Sequence, residues 1–123
     1  MHKIQIISAT NDKNLDLANS IQSTLMGVVR QVDKASVPID CPDIISLESL
    51  QLPLFSFGDK ANEEVLNGFD KSILEANSYI FCAPEYNGGV PPVLSNALTW
   101  ISVQTKDWRE AFNNKTALVA THS

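Results

Sequence analysis

Cysteine and histidine are scarce in this chain, with two of each among 123 residues. Cys41 and Cys82 lie far apart and form neither a CxxC pair nor a metal-ligand spacing, and with so few histidines no metal site is expected. No apolar run approaches the roughly 20 residues that span a bilayer. The N-terminus, Met1-His2-Lys3-Ile4-Gln5-Ile6-Ile7, enters a strand-like pattern at once, without the charged and apolar regions of a signal peptide. A cytoplasmic protein is the expectation, with no membrane partner. Basic residues are also in the minority: 9 Lys and Arg face 14 Asp and Glu, for a formal charge of −5. Such a surface repels phosphate backbones and anionic lipid, so no nucleic-acid partner is expected. Neither GxGxxG nor a Walker motif occurs, which removes support for a Rossmann dinucleotide site or a P-loop NTPase.

What remains has the balance of a folded protein: 44% hydrophobic and 19% charged residues, in a length that fits a single domain over residues 1–123. Lys3 to Ser8 is a β-branched strand. A polar segment, Ala9-Thr10-Asn11-Asp12-Lys13-Asn14, leads to a helix over about Leu15 to Val29. Its Leu17, Ile21, Leu25 and Val28 recur at helical spacing, with Asn14 placed to cap it. Arg30 to Pro42 has no clear period and reads as a loop with room for an irregular strand. Asp43 to Leu47 is a second strand, Ala61 to Glu75 a second helix, and Tyr79 to Ala83 a third strand. The third helix starts at Pro91 or Pro92 and runs to about Ile101, because proline suits a first helical turn. A short helical turn over Lys106 to Phe112 and a fourth strand, Thr116 to Thr121, complete the chain.

Strands and helices alternate, and the strands are nearly continuous apolar runs. That pattern predicts an α/β fold with a doubly wound parallel sheet covered by helices on both faces. Ligands of such sheets bind at the carboxyl ends of the strands. Two loops there carry candidate chemistry. Ser8 to Asn14 leads into the first helix, whose free N–H groups and dipole suit a phosphate, and Ser8, Thr10, Asn11 and Asn14 add neutral donors. The same residues also make capped, solvated βα turns. The second loop is Pro84-Glu85-Tyr86-Asn87-Gly88-Gly89-Val90-Pro91-Pro92. Gly88 and Gly89 permit positive φ and close approach of a flat ring, the prolines stiffen the loop, and Tyr86 offers an apolar face. A ligand-free Gly-Pro turn is the plainer alternative. Cys82 reads as a small core residue, Trp100 and Trp108 as packing residues, and His122 as solvent-exposed.

Residues 84 to 100, PEYNGGVPPVLSNALTW, closely resemble the PEYNGxxPxxLxNAxxW signature of the NADPH-dependent FMN reductase family. The resemblance implies a flavodoxin-like fold with strand order 2-1-3-4 and the first and third strands adjacent at its centre. It implies FMN as cofactor and NAD(P)H as co-substrate. Pro84, Glu85, Tyr86, Asn87 and Gly88 would lie against the flavin ring, mostly through their backbone. Ser8, Thr10, Asn11 and Asn14 would hold the phosphate, and Ser123 would enter a third flavin loop. No side chain is assigned a catalytic role, Glu85 included, because flavin hydride transfer requires no such proton relay.

The resemblance also has edges. The first loop, SATNDKN, is shorter than the family's GSxRxxSxN and has no Arg. The chain stops at Ser123, where the family continues with a Gly-rich turn, a fifth strand and a final helix. The expectation is therefore a C-terminally truncated domain whose flavin site is incomplete and whose fourth strand is an open edge, favouring a homo-oligomer. The implied activity is hydride transfer from NAD(P)H through FMN to a small acceptor such as a quinone, a flavin or an azo compound. The alternative is a flavodoxin-like electron carrier or a flavin-free binding module.

Overall fold

The computed structural model describes residues 1–31, 38–104 and 109–122. Among the described residues, nine elements follow one another: β1 (His2–Ser8), α1 (Lys13–Gln31), β2 (Ile39–Asp40), β3 (Ile45–Ser46), α2 (Leu47–Leu50), α3 (Glu63–Glu75), β4 (Ser78–Cys82), α4 (Pro92–Gln104) and β5 (Thr116–Ala120). Every strand pair is parallel, and the sheet runs β2-β1-β4-β5, with β3 also on β1. With β2 and β3 taken as one interrupted strand, this is the expected order 2-1-3-4, with the first and third strands adjacent.

The interruption has a local cause. β2 pairs with the start of β1 (His2 with Ile39, Lys3 with Asp40) and β3 with its end (Ile7 with Ile45, Ser8 with Ser46). Between them stands Pro42, which has no N–H to give to a ladder. Gln5 fills the gap instead: it is buried, and its Nε2 donates to the carbonyls of Asp43 at 2.9 Å and Ile6 at 3.0 Å. Ser46 then caps α2, accepting from Ser49 N at 3.3 Å, and Gln51 ends it in the left-handed region at φ 50°. This one-turn helix falls where the sequence pattern placed only the end of a strand and a loop.

Alternation along the central strands sorts the core onto two faces. Ile6, Ile80 and Cys82 pack with Ala18 of α1, joined by the partly buried Leu17, Ile21 and Leu25. On the opposite face, Ile7 and Tyr79 pack with Phe69 and Ile73 of α3 and with Leu94, Ala97 and Ile101 of α4. Helices therefore cover both faces, as a doubly wound sheet requires. Asn62 caps α3 through Val65 N at 3.2 Å, and the ammonium of Lys115 closes its other end on the carbonyls of Ile73 and Leu74, at 3.0 and 2.9 Å.

Two expectations need amending. Val28 belongs to the helical stripe by spacing yet is 51% exposed, whereas β5, expected as an open edge, shows Leu118 and Val119 at 58% and 71% exposure. Apolar identity does not secure burial where, among the described residues, β4 is the sole strand paired with β5. Asn14 does not cap α1: the helix starts at Lys13, and its first turn is closed by Asp16 N on Asp12 O at 3.0 Å. Trp108 and the start of the expected turn over Lys106 to Phe112 lie outside the described residues; Arg109 to Asn114 form turns.

Candidate functional site at the carboxyl ends of the strands

Ser8, Cys82 and Ala120 stand side by side in register, so the loops after β1, β4 and β5 leave the sheet at one level. The ladder continues past them: Ala9 N donates to Cys82 O at 2.9 Å, and Ala83 N to Ala120 O at 3.1 Å. The chain leaves β1 toward β3 on one side, while β4 leads to β5 on the other. Such a reversal opens a crevice above the strand ends.

The loop after β1 is organised by side chains turned inward. Ser8 is fully buried and donates to Thr10 O at 2.6 Å. Asn14, 5% exposed, sends its amide to Cys82 O at 2.8 Å, Ser8 Oγ at 3.1 Å and Thr10 O at 3.4 Å. Its Oδ1 is buried without a hydrogen-bond partner. Ser8 and Asn14 thus shape the loop from beneath. Asn11 is the outward member of the set. Its Oδ1 accepts from Ser46 Oγ at 2.5 Å, and its Nδ2 donates to Glu48 Oε2 at 2.9 Å.

The loop after β4 folds into a tight hairpin. Tyr86 and Gly89 exchange both backbone hydrogen bonds at 3.0 Å, with Asn87 at φ 55° and Gly88 at φ 78° between them. Two consecutive positive φ values define a type I′ turn, for which Asn-Gly is the preferred pair. Pro91 is fully buried, and its carbonyl accepts from Leu94 N at 3.0 Å, anchoring the loop to α4. Tyr86 remains half exposed.

A cavity of about 560 Å³ opens beside this hairpin, within the size range of small-ligand sites. Its wall includes Pro84, Glu85, Gly88, Gly89 and Pro91 from the loop, and Phe81, Leu94 and Val119 from the elements beneath. Thr121 reaches its rim, His122 is exposed, and Ser123 lies outside the described residues. Sequence spacing therefore located both loops, and the structure brings them to one end of the sheet. It missed Glu48, which sits on the unanticipated α2. It also missed Val119 as a wall residue. Among the described residues, no cluster of His, Cys, Asp and Glu is arranged to hold a metal, and no helix is long and apolar enough to cross a membrane.

The model of the NADPH-dependent FMN reductase family matches residues 3–123. The chain belongs to this family. An NADPH:quinone oxidoreductase of Arabidopsis thaliana is 34% identical over 94 residues, covering 74% of this chain and 47% of that protein. A 2-hydroxy-1,4-benzoquinone reductase of a Burkholderia species is 42% identical over 52 residues, 42% of this chain and 28% of that protein. This FMN reductase family member thus spans about half or less of the length of these curated relatives. Among solved structures, an oxidoreductase from Corynebacterium diphtheriae superposes with a TM-score of 0.71 at 12% identity, over all of this chain and 64% of that one. At that identity the likeness concerns the fold.

Proposed function

We propose that the protein is a flavoprotein oxidoreductase that passes a hydride from NAD(P)H by way of FMN to a small acceptor, a quinone before a flavin or an azo compound. The observation that carries this reading is the alignment of Ser8, Cys82 and Ala120, which brings a glycine-bearing hairpin and a helix-entry loop to one end of the sheet. When bound, FMN supplies the redox chemistry. The residues present fit it at the ring end. The rigid turn from Pro84 to Gly88 presents backbone edge groups, and Phe81, Leu94 and Val119 make the adjoining wall apolar. The Asn87–Gly88 turn keeps bulk away from the shelf, and the buried Pro91 holds it before any ligand arrives. At the other end, Asn11 would face the phosphate with the buried Thr10 close behind it, Ser8 and Asn14 fixing the loop from below and Ser123 entering the third loop. Quinone is favoured as acceptor because both curated relatives are named as quinone reductases.

A homo-oligomer is part of the same proposal, since the exposed Leu118 and Val119 on β5 offer an edge and apolar side chains to a second copy. Visible absorbance of the purified protein mixed with FMN tests the cofactor. A flavin spectrum that co-elutes with the chain and bleaches on anaerobic addition of NADPH is the expected result. A colourless protein that takes up no flavin would overturn the reading in favour of a flavin-free binding module.

A further inference from the structure

The outward donors of the loop after β1 are already engaged by an anion of the protein's own. Glu48 Oε2 accepts from Asn11 Nδ2 at 2.9 Å, and Glu48 Oε1 stands 3.5 Å from Asn11 N. A carboxylate on one backbone N–H and one side-chain amide makes the pair of contacts that a phosphate oxygen seeks at a helix entrance. The arrangement is built in. Register places Ser46 beside Ser8, Ser46 caps α2, and Glu48 occupies the first turn of that helix. Ser46 Oγ also donates to Asn11 Oδ1 at 2.5 Å, which turns the Nδ2 end of the amide toward the carboxylate. Ser49 Oγ adds a longer contact to the same amide at 3.4 Å. Lys13 is the one cation in the loop sequence, and Asp12 stands next to it. With Glu48 added, two acidic side chains, Asp12 and Glu48, stand against the one basic side chain of the loop sequence.

We propose that Glu48 is a specificity-determining residue that competes with a ligand phosphate for Asn11, so that this chain discriminates only weakly between FMN and phosphate-free riboflavin. The inference rests on the FMN reading above and sharpens it. The ring shelf would carry most of the affinity, and the phosphate would add little while Glu48 keeps its charge. The contact is exposed, so the carboxylate can swing aside, yet its charge stays near any dianion held by the loop.

Flavin-fluorescence titrations of the wild-type chain and Glu48→Gln with FMN and with riboflavin, at low ionic strength, provide the test. Removing one negative charge from beside a dianion should tighten FMN about ten-fold and shift riboflavin by less than about two-fold. Added salt should shrink the FMN gain. Glu48→Asp keeps the charge and should leave the FMN-to-riboflavin ratio near that of the wild type. A second readout follows the Asn11 amide and side-chain NMR resonances during titration with inorganic phosphate, where Glu48→Gln should respond at lower concentration. Flavin binding with no FMN-specific gain in Glu48→Gln would overturn the role of Glu48 and leave the cofactor reading intact. Failure of either flavin to bind either protein would overturn the cofactor reading, and this inference with it.

Discussion

Asn14, on the first turn of α1, donates to the carbonyl of Cys82 at the end of β4, 2.8 Å away and 68 positions along the chain. The same amide reaches Ser8 Oγ and Thr10 O, so one buried side chain ties the loop after β1 to the end of β4. Asn14→Ala would strand carbonyls in the interior, at a cost on the order of 1–3 kcal/mol. Asn14→Asp should be worse, because it sets a buried carboxylate against carbonyl oxygens. Urea unfolding measures both. Flavin affinity should fall in parallel even at temperatures where Asn14→Ala remains folded.

That contact marks the limit of what the sequence discloses. The hairpin at Asn87 and Gly88 is written in adjacent residues, and the helix start at Pro92 is a local signal as well. The sheet order follows from alternating element types and short connections. By contrast, the inward turn of Asn14 and the grip of Glu48 on Asn11 depend on register between distant segments. Asn14 has the chemistry of a cap, and only the proximity of Cys82 O and Ser8 Oγ draws it inward. The split of the second strand could have been anticipated from Pro42, and α2 from the capping serine at position 46. The open edge at β5 was expected, whereas the exposure of Val28 on α1 was not, because an apolar pattern records what a side chain prefers and not whether a neighbour is there to cover it.

Gly88 and Gly89 should answer differently to substitution. Gly88 sits at φ 78°, and a Cβ at this position would meet no atom within 4 Å, so the cost of a side chain there is backbone strain rather than a clash inside the protein. Gly88→Val should destabilise by about 1–2 kcal/mol and weaken flavin binding as the turn shifts. Gly89 has no such φ, and its added Cβ would make an ordinary 3.8 Å contact with Tyr86 O. Gly89→Ala should therefore be near-neutral for stability. Thermal unfolding together with flavin titration of both variants checks the contrast, and equal losses would refute it.

Tyr79 predicts an alkaline weakness. Its hydroxyl is buried 2.6 Å from the carbonyls of both Ile73 and Ala111, and burial pushes its pKa from 10.0 up to about 12. The native state holds this proton more tightly than the unfolded chain does. The stabilisation is complete below pH 10 and is lost as pH rises through about 12, a change on the order of 2–3 kcal/mol. Lys115, 3.1 Å from the same hydroxyl, runs the other way: burial lowers its pKa, so its penalty fades as pH climbs toward the ordinary 10.5. Stability should hold or rise slightly up to about pH 10 and then fall. Tyr79→Phe should flatten that fall while costing about 1 kcal/mol near neutrality, since it removes the hydroxyl from both carbonyls. Denaturant midpoints across the pH series decide it.

The edge at β5 yields the last expectation. Its backbone pairs with β4 in register from Ser78–Thr116 to Cys82–Ala120, and among the described residues no strand lies on its other side. Leu118 and Val119 point to opposite faces of the sheet, and both stand more than half exposed. Leu118 borders a groove with Ile21, Leu25 and Val28 of α1, and Val119 lines the candidate site. Unpaired amides flanked by apolar side chains on both faces favour pairing with another copy. A charge on the edge is the usual remedy, so Leu118→Lys should shift the chain toward monomer without touching the wall of the candidate site. Val119→Lys should also reduce association, and it should weaken flavin binding because its side chain lies in that wall. Sedimentation velocity over a concentration series separates the two effects, and a wild-type chain that stays monomeric throughout would sink the proposal.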